Sequence, residues 1–320
     1  MGAYFASLNF ASLPARMPSA IAQGILWGLM ALGVYITFRL LDVADLSVDG
    51  SFATGGAVTV MLIIAGWPAW AALLAALLVG VLAGLCTGLL HTKLGIPAIL
   101  AGILTQFALY SVNLRIMGMK ANQTASLKTY GMFWENGGKG FLISSRYVPQ
   151  AIGIGFLLAA ALIALLYWYF GTEQGSALRA TGSNPAMSRA QGINIDRMKV
   201  IGLSLSNGVV ALSGGLMTQF QGTADVSMGR GAIVIGEVFC EAIFKKGCNF
   251  YVKLLFVVLG GVLYYMVMTL ILWLRLDPND LKLFTALIVA LFLAVPYLQK
   301  QSRSSFSRAK KRGQKEAIGQ

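Results

Sequence analysis

Stretches of about twenty apolar residues recur along the chain, and they restrict its fold more than any other feature. One of them, YVPQAIGIGFLLAAALIALLYWYF at 147–170, contains no charged residue. Charged residues make up 12% of the 320-residue chain, whereas they make up roughly 25% of a soluble domain. Since a soluble fold would leave many of these runs in contact with water, the sequence predicts an all-α polytopic membrane protein.

The apolar runs predict about eight to ten transmembrane helices, two of them interrupted. The candidate spans are 20–40, 52–66, 68–90, 97–117, 148–170, 200–220, 231–244, 252–274 and 281–298. Two of these, 52–66 and 231–244, are short, and each follows a polar stretch with glycine, DLSVDGS or DVSMGRG. We therefore predict a transmembrane domain at 1–298 and a basic cytoplasmic tail at 299–320. The domain comprises a first repeat at about 20–170, a cytoplasmic loop at 171–199 and a second repeat at about 200–298.

The distribution of basic residues assigns the two sides of the membrane. The tail holds seven Lys/Arg and one acidic residue, and basic residues close to a span stay in the cytoplasm. Counting spans back from the tail places 171–199 in the cytoplasm and places 118–147 and the N-terminus outside. A basic tail after a span is typical of a topology signal that contacts anionic lipid. We therefore expect a membrane-lipid contact and no nucleic-acid partner.

An internal repeat relates the two halves. A shift of 180 residues aligns 28–58 with 208–238 without a gap. Identical pairs include Gly28/Gly208, Ala31/Ala211, Leu32/Leu212, Ala44/Ala224, Asp45/Asp225, Ser47/Ser227 and Gly56/Gly236. Five spans separate the starts of the two copies, and an odd number inverts the second copy. Inverted repeats with interrupted helices at matching positions are typical of transporters; chance similarity between two apolar stretches is the alternative.

Two compatible interpretations of the breaks stay open. Irregular backbone at membrane depth survives only where it is buried in protein or lines a wet cavity, so both breaks are predicted to border a translocation pathway. The candidate pathway residues are Asp45, Ser47, Asp49, Gly50, Ser51, Asp225, Ser227, Gly229 and Gly231. The alternative makes Asp45 and Asp225 the N-caps of the short spans that follow them, at the membrane edge.

The stretch TGSNPAMSRAQGINID at 181–196 predicts a short polar helix between two spans. Asn184 can serve as N-cap, Pro185 falls at the first helical position, and Gly192 stands where a C-terminal cap belongs. A rigid cytoplasmic helix of this kind suits docking into a groove on a partner. An amphipathic loop helix that lies on the membrane is the alternative.

Small and aromatic residues predict packing and anchoring. Gly80, Gly84 and Gly88 repeat every four residues, which allows close helix packing within the chain or between two copies. Tryptophans mostly fall near span ends, where we expect them at the membrane interface: Trp27, Trp67, Trp70, Trp168 and Trp273.

The sequence contains no nucleotide-hydrolysis motif of the form G-x-x-x-x-G-K-[ST], and His91 is its only histidine. We therefore expect no cofactor, no metal and no catalytic residue on this chain. Energy for uphill transport would come from an ion gradient or from another protein.

The loop GTEQGSALRATGSNPAMSRAQGIN resembles that of permease subunits of the branched-chain amino acid/ribose type of ABC importer. Their pattern is G-x-x-[IL]-R-A-x-G-x-[ND]-x-x-[AS]-A-x-x-x-G-[IV], and the matching residues are Gly175, Leu178, Arg179, Ala180, Gly182, Asn184, Ala190, Gly192 and Ile193. DLSVDGS resembles the D-L-S-V-G-S break of the sugar members, with Asp49 inserted before Gly50. The runs at 24–58 and 91–118 are most similar to a subgroup associated with amino acid uptake, including tryptophan and tyrosine systems.

This resemblance implies a permease homodimer in a prokaryotic inner membrane. Two cytoplasmic ATPase subunits, which hold ATP and Mg, would bind the coupling helices, and an external binding protein would deliver the solute, most simply an amino acid. The coupling residues it implies are Asn184, Pro185, Ala186, Met187, Arg189, Ala190 and Gly192. Two other interpretations stay open at this level. A stand-alone secondary transporter would need an ion gradient, and a membrane scaffold would show no solute flux.

Overall fold

The computed structural model describes residues 12–134, 139–226 and 249–273, and its elements are almost entirely helical. The first helix, α1, is followed by a π-helical turn at Ile36–Leu40. The helices are α1 (Ser12–Tyr35), α2 (Val48–Ile64), α3 (Ala69–Thr92), α4 (Ala98–Ile116), α5 (Leu127–Tyr130), α6 (Val148–Gly171), α7 (Glu173–Ser183), α8 (Pro185–Ala190), α9 (Ile195–Gln221) and α10 (Phe250–Trp273). Two short strands, β1 (Asn122–Thr124) and β2 (Thr223–Asp225), complete the fold.

The helices confirm the predicted all-α polytopic membrane fold. Within the described ranges, six helices are long and apolar enough to cross a membrane, and α2 is a shorter apolar helix of 17 residues. The predicted spans agree with the helices to within a few residues, except that α1 begins at Ser12 and α9 at Ile195. The predicted spans 231–244 and 281–298 and the tail 299–320 lie outside the described residues.

Helix α9 forms the centre of the bundle. It packs against α1, α2 and α3, and most of its residues from Gly202 to Phe220 are buried. The glycine stripe of α3 makes one of these contacts. A β-carbon on Gly80 would collide with the carbonyl oxygen of Asn207, and one on Gly84 would collide with that of Leu203. The stripe therefore packs within the chain, which is the first of the two predicted alternatives.

The two helices that carry the internal repeat run antiparallel. Ser206 Oγ donates to the Gly33 carbonyl at 2.7 Å, and Ser213 Oγ donates to the Leu26 carbonyl at 2.7 Å. The residue numbers rise along α9 as they fall along α1, which is the relationship that an inverted repeat requires.

The bundle has two ends, which we name by their elements. At the α8 end lie α7, α8 and the start of α10, where the Phe170 and Phe250 rings are 5.5 Å apart. At the ribbon end, β1 pairs antiparallel with β2, with Asn122 opposite Asp225. The Ser145 N–H donates to the Phe220 carbonyl at 2.9 Å and ties the loop before α6 to the same end. Residues 118–134 and 139–147 thus lie at the opposite end of the bundle from residues 171–199.

Trp27 departs from the expected interfacial position. Only 4% of its surface is exposed, and its ring stacks on Phe52 at 4.8 Å and on Tyr265 at 5.9 Å. The prediction was wrong because α1 begins earlier than the apolar run suggested, so Trp27 lies well inside the helix. Trp67, Trp70 and Trp168 are exposed near helix ends.

Candidate translocation site

The first break separates α1 from α2. The Leu41 N–H donates to the Ile36 carbonyl and the Val43 N–H to the Thr37 carbonyl, so the helix widens into a π turn before it ends. Asp42 then adopts a left-handed backbone with φ of 54°. Left-handed backbone is uncommon for a residue other than glycine and terminates the helix here. The residues between Asp42 and the start of α2 at Val48 have no regular secondary structure.

The second helix of the repeat, α9, also ends at a left-handed residue, and this residue stands at the equivalent position. Gly222, which is 180 residues after Asp42, has φ of 73° and caps the C-terminus of α9. In both copies an aspartate, Asp45 or Asp225, is the third residue after this left-handed position. The shared left-handed position supports the repeat independently of the identical residue pairs.

The first break brings four polar side chains into one hydrogen-bonded cluster, which we call the Asp45 cluster: Asp45, Ser47, Ser51 and Asn207. One carboxylate oxygen of Asp45 accepts from the Ser47 N–H at 2.8 Å and from the Ser47 hydroxyl at 2.6 Å. The other accepts from Asn207 Nδ2 at 2.8 Å. The Asn207 carbonyl oxygen accepts from the Ser51 hydroxyl at 2.6 Å.

The cluster lies halfway along the bundle. Asn207 is the thirteenth of 27 residues in α9, about 18 Å from the start of a helix about 40 Å long at 1.5 Å per residue. Asp45 is 2% exposed, and Ser47, Ser51 and Asn207 are fully buried. An unpaired carboxylate at this depth would be costly, and the cluster satisfies it with three donors.

Helix α4 packs closely against the cluster. A β-carbon on Gly102 would lie 2.7 Å from the Leu46 amide nitrogen and 3.2 Å from the Asp45 carboxylate, so only glycine allows α4 this close. Gly50 is buried in the first turn of α2 and faces Leu109 of α4. In this conformation the polar groups of the Asp45 cluster therefore bind one another.

The capping alternative for Asp45 needs correction. The N-cap residue of α2 is Ser47, whose side chain makes no capping bond. Asp45 precedes it by two residues and accepts its N–H, and the same carboxylate also binds α9. Asp45 thus joins two helices, because the chain folds back before α2 begins.

The remaining predicted pathway residues are not gathered at this cluster. Asp49 is half-buried in the first turn of α2. Asp225 lies in β2 at the ribbon end, paired with Asn122. Ser227, Gly229 and Gly231 lie outside the described residues. Asn207 was not among the predicted pathway residues; the signal for it was a lone asparagine in the apolar run of α9.

The residues predicted for coupling form the six-residue helix α8 at the opposite end from the ribbon. Asn184 is its N-cap, with Oδ1 accepting the Met187 N–H at 3.0 Å, and Pro185 is the first helical residue. Gly192 has φ of 83°, and its N–H donates to the Arg189 carbonyl while the Ile193 N–H donates to that of Ser188. These two bonds are a Schellman cap, so both predicted helix ends are confirmed.

Helix α8 is exposed over most of its length. Only Ser188 is buried, and its hydroxyl donates to the Asn184 carbonyl. The exposed residues are Pro185, Ala186, Met187, Arg189 and Ala190, and 57% of the Met187 surface is accessible.

Helix α7 connects α8 with the first break. A β-carbon on Gly182 would collide with the Leu40 carbonyl oxygen, so the end of α7 packs directly on the π turn. Leu41 in turn packs against Gly202 of α9. Helix α8 is therefore connected through α7 and the π turn to the segment that carries Asp45. A displacement of α8 can reach this segment through these close contacts.

Comparison with known proteins assigns the family. The family described as "Branched-chain amino acid transport system / permease component" matches residues 17–296. No solved structure matches the chain significantly.

Three proteins are similar to this chain over most of their length. A tyrosine transport system permease protein of Clostridioides difficile (strain R20291) is 36% identical over 86% of this chain and 90% of its own length. An uncharacterized protein of Rickettsia prowazekii (strain Madrid E) is 30% identical over 86% and 96%. A probable branched-chain amino acid transport permease protein of Methanocaldococcus jannaschii is 25% identical over 71% and 72%. The resemblance described from the sequence is confirmed: this chain is a multi-pass membrane protein that belongs to the family of permease components of branched-chain amino acid transport systems.

Proposed function

We propose that this chain is the permease subunit of an ATP-driven ABC importer that carries an amino acid across a prokaryotic inner membrane. The observation that carries the proposal is α8, a short helix capped at both ends whose outer residues are exposed. A partner can move such a helix as a rigid body, because neither end can fray. ATP and Mg belong to a separate cytoplasmic subunit that receives α8 in a groove.

The Asp45 cluster is the proposed part of the pathway in this half of the chain. Its hydrogen bonds hold α2 against α9 at mid-depth, and movement of the π turn through α7 would break them. Asp225 and the segment that follows it form the equivalent border in the second half. A second permease copy supplies the other half of the pathway, and an external binding protein delivers the solute to the side of residues 118–147.

An aromatic amino acid is the proposed solute class. The relative from Clostridioides difficile, which matches 86% of this chain at 36% identity, is described as a tyrosine transport permease. L-Tyrosine is therefore the first solute to test.

The test of coupling replaces both Ala186 and Met187 by Asp. Both residues are exposed, so the variant should fold, while the two added charges should stop α8 from transmitting the movement of the ATPase subunit. We expect ATP hydrolysis by the purified complex to continue without L-tyrosine uptake in proteoliposomes. The control replaces Gln174 and Ser176 by Asp, which adds the same charge to exposed positions of α7 and should leave uptake unchanged.

Two results would contradict the proposal. Normal uptake by the α8 variant would show that α8 is not the coupling element. Purification of the chain without any ATPase subunit, with uptake abolished by an ionophore, would assign it to the secondary transporters instead.

A further inference from the structure

A cavity lies at the ribbon end, apart from the Asp45 cluster and from α8. It measures about 360 Å³, opens to the surface, and is lined by residues 124–128, Phe141, residues 144–146 and residues 219–222. This volume is within the range of small-molecule sites, roughly 300–1,000 Å³. Neither the coupling helix nor the Asp45 cluster contributes a residue to it.

Gln219 of α9 is one of the residues that line this cavity. The side chain is 1% exposed, and its Oε1 accepts the Leu142 N–H at 3.0 Å. Within the described part of the chain, its buried Nε2 has no hydrogen-bond partner. Since buried polar groups in folded proteins are nearly always paired, this amide is a candidate donor to a ligand in the cavity.

The charged residues that line the cavity indicate which kind of hydrogen-bond acceptor it would bind. Lys128 and Arg146 line it, together with the hydroxyl-bearing residues Ser126, Ser144 and Ser145, and none of its described lining residues is acidic. An acceptor with a full negative charge would bind such a set of donors more strongly than a neutral one.

The remaining wall of the cavity is apolar. Phe141 and Phe220 are each 1% exposed, and Ala125 is 2% exposed. A ligand that pairs a carboxylate with an apolar or aromatic body satisfies both walls. An inorganic anion would leave the apolar wall in contact with water.

We propose that the ribbon-end cavity binds the carboxylate of the transported amino acid, with Gln219 Nε2, Lys128 and Arg146 as its donors. This inference rests on the proposed function, because it takes the ligand to be the solute before translocation. The cavity would act as a waypoint that selects a carboxylate before the solute reaches the break between α1 and α2.

The test compares three ligands that share an aromatic ring: L-tyrosine, 3-(4-hydroxyphenyl)propanoate, which lacks the amine, and tyramine, which lacks the carboxylate. Saturation-transfer NMR titrations with the full-length chain in phosphatidylcholine nanodiscs measure each affinity, and empty nanodiscs provide the background. We expect L-tyrosine and the propanoate to bind and tyramine to bind at least tenfold more weakly. Equal binding of tyramine, or binding of none of the three above background, would overturn the inference.

Single substitutions test whether the carboxylate of the ligand binds in the cavity. Gln219→Glu keeps an oxygen for the Leu142 N–H but replaces the donor by an acceptor. Arg146→Gln removes a charge at an exposed position and so remains informative if Gln219→Glu fails to fold. Each should weaken L-tyrosine binding about ten- to a hundredfold, the usual effect of losing a hydrogen bond to a charged group. The control Gln150→Glu adds the same charge to an exposed residue near the start of α6 and should change the affinity less than twofold.

The same measurements separate this inference from the proposed function. If the wild-type complex takes up L-tyrosine while Arg146→Gln leaves its binding unchanged, the cavity assignment is wrong and the proposed function stands. If the propanoate binds and depends on Gln219 while the complex takes up no amino acid, the carboxylate site stands and the proposed solute is wrong.

Discussion

The side-chain amide of Asn207 donates a 2.8 Å hydrogen bond to the carboxylate of Asp45, joining two residues that are 162 positions apart in the sequence. The bond connects the break after α1 with the centre of α9. Because both groups are buried, neither can turn to water if its partner is lost.

Exchange of the two functional groups tests this bond. Asn207→Asp places two carboxylates side by side, and we expect the free energy of unfolding to fall by about 3 kcal/mol. Adding Asp45→Asn restores a donor opposite an acceptor, so the double variant should recover part of the loss, with a coupling energy of about 0.5–3 kcal/mol. SDS titrations of the purified chain measure all four proteins of the cycle.

The control for this cycle is Asn194→Asp, at the exposed N-cap of α9. Aspartate caps a helix about as well as asparagine does, so stability should not change. Strictly additive effects in the Asp45/Asn207 cycle would show that the two side chains are not coupled.

Gly84→Ala tests the close approach of α3 and α9. The added β-carbon would collide with the Leu203 backbone, and overpacking of this kind costs about 1–3 kcal/mol. The melting temperature in detergent should therefore fall. Gly153→Ala is the matched control, because no atom lies within 4 Å of its β-carbon position; an equal loss there would attribute the effect to helix backbone rather than to packing.

Gly182→Ala tests the route from α8 to the first break. The β-carbon would push α7 away from Leu40, so we expect fewer solute molecules imported per ATP hydrolysed, with the ATPase rate retained. Gly171→Ala, at a position with no neighbour within 4 Å, should leave this ratio unchanged. An unchanged ratio in Gly182→Ala would mean that movement of α8 reaches the pathway by another route.

Labelling of single cysteines tests on which side of the membrane each end of the bundle lies. Ser126 and Ser183 are exposed at the ribbon end and the α8 end, respectively. In a background without Cys86, Cys240 and Cys248, a membrane-impermeant maleimide should modify Ser126→Cys in intact cells and Ser183→Cys only in inverted vesicles. Labelling of both from the same side would contradict the arrangement of the spans.

Local patterns in the sequence were sufficient for the membrane class, most helix positions and both caps of α8. Apolar runs must form helices because a membrane offers no water to the backbone. Asn184, Pro185 and Gly192 act on their own helix, so neighbouring residues contain the whole interaction. The repeat also placed both aspartates after a break.

The partners of those aspartates were decided by the tertiary structure. Asp45 meets Asn207 because α1 and α9 run antiparallel and the chain folds back at Asp42, and no local pattern encodes the distance between residues 162 positions apart. The same reason places Trp27 on Phe52, although its sequence position suggested an interface. Tertiary packing also places Gln219 in the lining of a cavity that three separate segments form. Sequence alone therefore determined which segments cross the membrane, and the packing of those segments decided which polar groups meet inside it.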